Sequence, residues 1–159
     1  MNMEISIQQF SDALAGEDDL GMILRGHLHV EHQLKEFISL FLPFNQKCDW
    51  EKIGYIGRVE IALSCGLPED MRKPLEKINR IRNSFAHELN TVIQKKTVMD
   101  IYNCLSQRHN NVVKLCHKEL GRKEPFRPSQ LDEKELLQIL IVSIHSAILA
   151  AILDKQKMG

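Results

Sequence analysis

Three residues that could act on a phosphate group lie close together in this 159-residue chain. Residues 78–89 read "INRIRNSFAHEL", which places Arg82 beside Asn83 and puts His87 four residues after the asparagine. An arginine offers a permanently charged fork of donors that fits phosphate oxygens. Histidine exchanges protons near neutral pH, and an asparagine amide can orient an imidazole or bind a phosphate oxygen. The spacing therefore indicates phosphate chemistry, with Arg82, Asn83 and His87 as the candidate catalytic residues.

A helix has to position these three residues. The apolar residues before them recur at helical spacing, and they are Met71, Leu75, Ile78, Ile81 and Phe85. Arg82 falls inside that apolar stripe, so its guanidinium needs an acid, a carbonyl or an anionic ligand. On a regular helix Arg82 and His87 are roughly 140° apart, so they converge only if the helix frays or a second chain contributes. The other interpretation is structural, with His87 bonding the last carbonyls of the helix.

A second helix, earlier in the chain, contains two polar residues on its apolar face. His27 and Glu31 are four residues apart, close enough for a hydrogen bond between them. A buried carboxylate needs a partner, because leaving it unpaired costs several kcal/mol. Two interpretations stay open: Glu31 pairs with His27 or Lys35 and only fixes packing, or it anchors Arg82. We take His27 and Glu31 as supporting residues of the candidate site.

The whole chain follows helical periodicity, and no stretch alternates long enough to predict a strand. We expect a single all-α domain over residues 1–159, an antiparallel bundle of four to five main helices. The expected helices cover residues 20–42, 50–64, 67–87, 96–120 and 131–155, with a short one at 5–15, and the breakers are Pro43, Gly66 and Gly121. The last helix is apolar nearly all round, which favours a central core or dimer element over a membrane span.

Composition limits the classes of partner. Lysine plus arginine equals aspartate plus glutamate, 21 each, so any contact with nucleic acid has to come from a local patch. Four cysteines without a secretory signal indicate free thiols in the cytoplasm. A metal site could be imagined from Cys104, His109, Cys116 and His117. No C-x-x-C pair supports it, and we predict neither a metal nor a cofactor.

The motif resembles a known family. "RNSFAH" (residues 82–87) matches the R-N-x-x-x-H signature of the HEPN superfamily, small all-helical domains of toxins, defence systems and RNA-processing enzymes. The stretches "RGHLHVEHQLKEFI" and "IGRVEIALSCGLPEDMRKPLEKINRIRNSFAH" are similar to the mannitol operon repressor branch, and the resemblance covers roughly residues 20–90. In HEPN ribonucleases the motif lies at a helix end, and dimerisation brings two motifs into one cleft.

The resemblance implies a cytoplasmic homodimer that cleaves RNA without a metal, of the toxin or defence type, with an antitoxin as its protein partner. The ribose 2′-hydroxyl attacks the adjacent phosphate, with His87 as general base or acid and Arg82 holding the phosphorane charge. Asn83 would orient His87, and Glu31 would position Arg82. The alternative is a non-enzymatic transcriptional regulator of the mannitol operon repressor kind, acting through a regulatory protein or an effector. A bundle without catalytic activity is a third interpretation, and none of them involves a membrane.

Overall fold

Seven α-helices make up most of the computed structural model, which describes residues 7–43 and 47–159. They are α1 (Ile7–Ala15), α2 (Asp19–Ser39), α3 (Tyr55–Ser64), α4 (Arg72–His87), α5 (Lys95–Asn103), α6 (Gln107–Glu119) and α7 (Glu133–Met158). Short 3₁₀ turns precede α3, α4 and α7, at Trp50–Lys52, Glu69–Met71 and Pro128–Gln130. The described residues contain no strand, so the expected all-α class is confirmed. Residues 5 and 6 of the expected first helix lie outside the described residues.

Capping residues fix several of the helix bounds. The Asp18 side chain accepts a hydrogen bond of 2.7 Å from a backbone amide in the first turn of α2. At the start of α7, Asp132 accepts from the Glu135 amide at 2.7 Å, and the Glu135 carboxylate accepts from the Asp132 amide at 3.3 Å. Gly66 and Gly121 follow α3 and α6 with φ of 104° and 74°, a conformation that favours glycine. Both helices therefore end where the sequence predicted.

The single helix expected over residues 96–120 is wrong, because α5 and α6 are separate helices. Residues 104–106 interrupt the helix, and Ser106 is the N-cap of α6. The Ser106 hydroxyl also donates to Asp70 at 2.5 Å, and Arg108 binds both oxygens of the same carboxylate at 2.6 and 2.9 Å. Apolar residues keep a helical spacing on both sides of the break, so periodicity alone does not reveal it.

The last helix lies at the centre of the fold. It packs against α1, α2, α4, α5 and α6, and twelve of its residues are buried. α2 approaches so closely that a Cβ added to Gly26 would lie 2.9 Å from a methyl carbon of Ile141. By length and composition α7 could cross a membrane, yet 67% of its apolar window is buried inside the bundle. Its apolar surface is thus covered within the chain, and it gives no reason to expect a dimer.

Helices α2, α3 and α4 form the layer that positions the candidate site. Each of the three packs against the other two. Near the middle of both helices, His27 of α2 lies 3.2 Å from the Asn79 amide oxygen of α4. Leu20, at the start of α2, lines the same surface depression as Phe85, near the end of α4. The two helices are therefore antiparallel, and the end of α4 lies beside the start of α2.

Two histidines are buried in the core around α7. His109 of α6 has no exposed surface; its Nε2 lies 3.2 Å from the Ser143 hydroxyl, and its Nδ1 has no partner in the described structure. His145 of α7 lies 3.2 Å from the Gln33 amide nitrogen, with its ring 4.5 Å from that of Phe10. Burial is the main cause that lowers the pKa of each histidine to about 4. Both are therefore neutral in the folded protein at neutral pH.

Acid should destabilise this fold between about pH 6.5 and pH 4. Unfolded histidines bind a proton near pH 6.5, whereas folded His109 and His145 bind one only near pH 4, so the unfolded state takes up more protons across that window. The free energy of unfolding should therefore fall with pH, by up to roughly 3 kcal/mol for each histidine. Urea unfolding at several pH values would measure this. His145→Phe should lessen the pH dependence, and the exposed-site control His87→Gln should not; equal curves for wild type and His145→Phe would contradict the assignment.

Candidate functional site

The end of α4 presents the three motif residues at the edge of the bundle. Arg82 and Asn83 are half-buried, and His87 is exposed. Because α4 stays helical as far as His87, Arg82 and His87 remain roughly 140° apart around the helix axis. One chain alone therefore does not bring the guanidinium and the imidazole together.

Arg82 uses little of its hydrogen-bonding capacity. Its Nη1 donates to the amide oxygen of Asn83 at 3.1 Å, and no carboxylate among the described residues forms an ion pair with it. Its charge also affects His27 on the neighbouring helix. Burial is the main cause that lowers the pKa of His27, and the positive charge of Arg82 lowers that pKa further. A guanidinium has five N–H donors. Arg82 therefore keeps donors available for an anion at the edge of the bundle.

His87 makes no side-chain hydrogen bond or ion pair with the described residues. The end of α4 is closed instead by the Glu88 amide, which donates to the Ser84 carbonyl at 3.0 Å. The hydroxyl of Thr91 donates to the same carbonyl at 3.3 Å. The capping role that the sequence left open for His87 is thus filled by other groups. Asn83 does not orient His87 either, because its amide oxygen accepts from Arg82.

Glu31 has a partner that differs from those expected. Its carboxylate forms an ion pair with Arg58 of α3, with Nη1 3.2 Å from Oε1, and the two side chains are 21% and 9% exposed. The partners predicted from the sequence were His27, Lys35 and Arg82, and none of them forms this ion pair. Glu31 therefore does anchor an arginine, but that arginine ties α2 to α3 instead of belonging to the motif.

Arg58 was not among the residues predicted from the sequence. It lies on the buried stripe of α3 between Tyr55 and Val59, and its Nη2 donates to the carbonyl of Trp50 at 2.6 Å. Its Nε is buried without a partner in the described structure. The signal that could have identified it is an arginine inside an apolar stripe, the same signal that identified Arg82.

A second set of contacts ties α2 to both α3 and α4. The ring of His27 lies 4.3 Å from the ring of Tyr55, and its Nε2 lies 3.2 Å from the amide oxygen of Asn79. The Tyr55 hydroxyl donates to the carbonyl of Leu75 at 2.9 Å, and burial raises the pKa of that hydroxyl. We call the residues of both sets the polar cluster: His27, Glu31, Tyr55, Arg58 and Asn79. It fixes the three helices that surround the motif.

An apolar stripe flanks the motif on α2. Leu20 and Leu28 are 42% and 62% exposed, Leu24 is half-buried, and the spacing of four puts all three on one side of the helix. We call them the leucine stripe. By helical spacing it lies on the same edge of α2 as Glu31, which forms an ion pair with Arg58 of α3. The surface around the motif is thus partly apolar and partly polar.

Metal ligation has no support in this part of the molecule. Among residues 7–43 and 47–159, no group of three or more histidine, cysteine, aspartate or glutamate side chains could hold a metal ion. The cysteines there are free thiols.

Comparison with models of known protein families, with curated protein sequences and with solved structures found no match. A functional hypothesis therefore depends on the geometry of this site and on the spacing of its motif.

The ion pair between Glu31 and Arg58 should be necessary for full stability. Arg58→Ala leaves a largely buried carboxylate without its partner, and we expect a loss of roughly 3 kcal/mol in the free energy of unfolding. Urea unfolding at pH 7 would measure it, and Glu31→Leu with Arg58→Leu in one chain should recover most of the loss. As a control, Arg25→Ala breaks an exposed pair with Glu17 and should cost less than about 1 kcal/mol. Equal losses for Arg58→Ala and Arg25→Ala would contradict a structural role for the buried pair.

Proposed function

We propose that this protein is a metal-independent RNA endonuclease of the toxin or defence type, acting in the cytoplasm as a homodimer. The observation that supports it is the exposed end of α4, where Arg82 has unused donors and His87 has no partner among the described residues. Cleavage of a phosphodiester requires a positive group that binds the phosphate and a group that transfers protons. The guanidinium of Arg82, with its remaining donors, and the imidazole of His87 could supply them at this surface. The R-N-x-x-x-H spacing, which resembles that of HEPN ribonucleases, supports RNA as the substrate.

The reaction needs a ribose 2′-hydroxyl, two imidazoles and a positive charge. His87 of one protomer accepts the proton of the 2′-hydroxyl while its oxygen forms a bond to the adjacent phosphorus. His87 of the other protomer donates a proton to the 5′-oxygen as the bond between that oxygen and phosphorus breaks. The products are a 2′,3′-cyclic phosphate and a 5′-hydroxyl, so no oxidant, metal or cofactor is consumed. Arg82 stabilises the negative charge that develops on the phosphorane oxygens.

The other polar residues act by positioning. Asn83 holds the guanidinium of Arg82 through its amide oxygen, which replaces the role toward His87 that the sequence suggested. His27 and Asn79 hold α2 against α4 one turn before the motif. Glu31 contributes through Arg58, because that ion pair ties α2 to α3.

A second copy of the chain completes this site. The mechanism needs two imidazoles at one phosphate, so we place a twofold axis near the end of α4, where His87 is exposed in each protomer and Arg82 reaches the shared cleft from the other side of the helix. The leucine stripe beside the motif offers an apolar surface for that contact. In such an isologous interface the same surface serves both protomers, and two copies of the motif face one cleft.

Purified protein should cleave RNA in excess EDTA and should lose that activity with His87. His87→Ala removes the proton-transfer group, so the cleavage rate should fall by about two to four orders of magnitude. Because His87 makes no bond within the described fold, the melting temperature should stay within about 2 °C of wild type. The exposed histidine of α2 provides a matched control, His32→Ala, which should retain full activity.

Two results would contradict the ribonuclease proposal. Activity that chelation abolishes and a divalent cation restores would point to another mechanism. If instead neither single-stranded nor structured RNA is cleaved and His87→Ala changes only the melting temperature, the non-enzymatic regulator, acting through a protein partner or an effector, becomes the better interpretation.

Inactive subunits should poison wild-type subunits if both histidines of a dimer are needed. After subunit exchange with a threefold excess of His87→Ala protein, activity per wild-type chain should fall to about a quarter, the fraction of wild-type partners. A control protein with His87→Ala, Leu24→Asp and Leu28→Asp should not suppress activity, because a charged leucine stripe disfavours pairing. Suppression by neither protein, together with light scattering that shows a monomer, would contradict the composite site.

A further inference from the structure

A row of cations follows the outer face of α4 and ends at the motif. Lys73, Lys77 and Arg80 are four and three residues apart, so they lie on one side of the helix. The same spacing continues through Ser84 to His87. Lys73 and Arg80 are exposed and Lys77 is half-buried. From Lys73 to His87 the row extends for about 21 Å at the helical rise of 1.5 Å per residue.

None of these three cations forms an ion pair with the described residues. Their neighbours do: Arg72, at the start of the same helix, binds Glu60 and Glu69. Arg108, near the start of α6, binds Asp70. Lys73, Lys77 and Arg80 are thus charges that no ion pair within the described residues neutralises.

The three cations line an open depression of about 490 Å³ between α4 and α5. Its other lining residues are Glu76, Asp100, Asn103 and Cys104. Cys104 lines the depression together with both lysines: burial raises the pKa of its thiol, and the charges of Lys77 and Lys73 oppose that rise. We call this depression the cationic groove. It has no aromatic side chain, so it offers no platform on which a base could stack.

We propose that the cationic groove binds the phosphate backbone of single-stranded RNA that flanks the bond to be cleaved, an inference that rests on the proposed function. One row of cations fits one strand, and the row ends at His87, where the strand would enter the cleft. At about 3.4 Å of axial rise per stacked nucleotide, the row is as long as about six nucleotides. Glu76 and Asp100 limit the net positive charge of the groove. Because the contacts are to phosphates, binding has little sequence preference and is sensitive to salt.

The test compares two triple variants with equal change in charge. The groove variant is Lys73→Gln, Lys77→Gln and Arg80→Gln, and the control, at exposed positions outside the groove, is Lys114→Gln, Lys123→Gln and Lys157→Gln. The binding probe is a fluorescent 2′-O-methyl RNA of twelve nucleotides, which lacks the attacking hydroxyl and cannot be cleaved. For a single strand, each lost phosphate contact reduces the magnitude of the slope of log K against log salt by about 0.7. The slope of the groove variant should therefore be smaller in magnitude by about 2 than that of the wild type, and the slope of the control should change much less.

Cleavage measured in parallel separates this inference from the proposed function. For the groove variant, the ratio of kcat/KM for a cleavable twelve-nucleotide RNA to that for a dinucleotide should fall about tenfold, because a dinucleotide cannot reach Lys73. If the wild type cleaves RNA and both variants show equal salt slopes, the proposed role of the groove is wrong and the ribonuclease proposal stands. Groove-dependent binding without any cleavage would overturn the ribonuclease and retain an RNA-binding groove. Absence of RNA binding by the wild type would overturn both.

Discussion

A helix that is apolar on every side has to be surrounded, and this constraint determines how the rest of the chain is arranged. α7 is contacted by α1, α2, α4, α5 and α6, and its buried residues are distributed around its whole circumference. At Gly26 the backbone of α2 comes so near to α7 that no larger side chain fits without displacing Ile141. The remaining helix, α3, packs on the outside of α2 and α4. The candidate site belongs to that outer layer, which explains why its polar residues do not interrupt the apolar centre.

Polar contacts hold the helices of the outer layer together. Arg58 binds a carboxylate of α2 and a carbonyl of the turn before α3, and Tyr55 donates to a carbonyl of α4. The contacts of Arg58 need α2, α3 and the turn before α3 in place, and the contact of Tyr55 needs α3 and α4, so together they specify one arrangement of α2, α3 and α4. A ligand site at the end of α4 benefits, because the helix cannot shift against α2 without breaking the bond between His27 and Asn79.

Much of the fold was accessible from the sequence, for local reasons. Helical periodicity and the glycines at 66 and 121 gave most helix bounds correctly, since both act within a few residues. The break before Ser106 was missed because the carboxylate that stabilises it, Asp70, is 36 residues away in the chain. The partner of Glu31 was missed for the same reason: within its own helix only His27 and Lys35 are near, and Arg58 comes close through the packing of α3.

In the candidate site, too, local features could be predicted from the sequence and features that depend on tertiary contacts could not. Its residue types and spacing are properties of one helix, and the continuation of α4 to His87 agrees with the expected register. What Asn83 contacts depends on side-chain conformation, and the amide turned out to face Arg82. Whether an apolar helix needs a second chain to cover it depends on the whole bundle, and here the chain covers α7 by itself. Only the end of α4 and the leucine stripe remain as reasons for a dimer.

The contact between Arg58 and the carbonyl of Trp50 gives the molecule an internal optical reporter. Trp50 is the only tryptophan in the chain, and its indole is half-buried against the core. Its position is tied to α2 through the guanidinium of Arg58 and the carboxylate of Glu31. Indole emission depends on contact with water, so tryptophan fluorescence in this protein senses one place, the outer layer beside the candidate site. Circular dichroism senses all seven described helices. The two signals together distinguish a local opening of that layer from the loss of the whole fold.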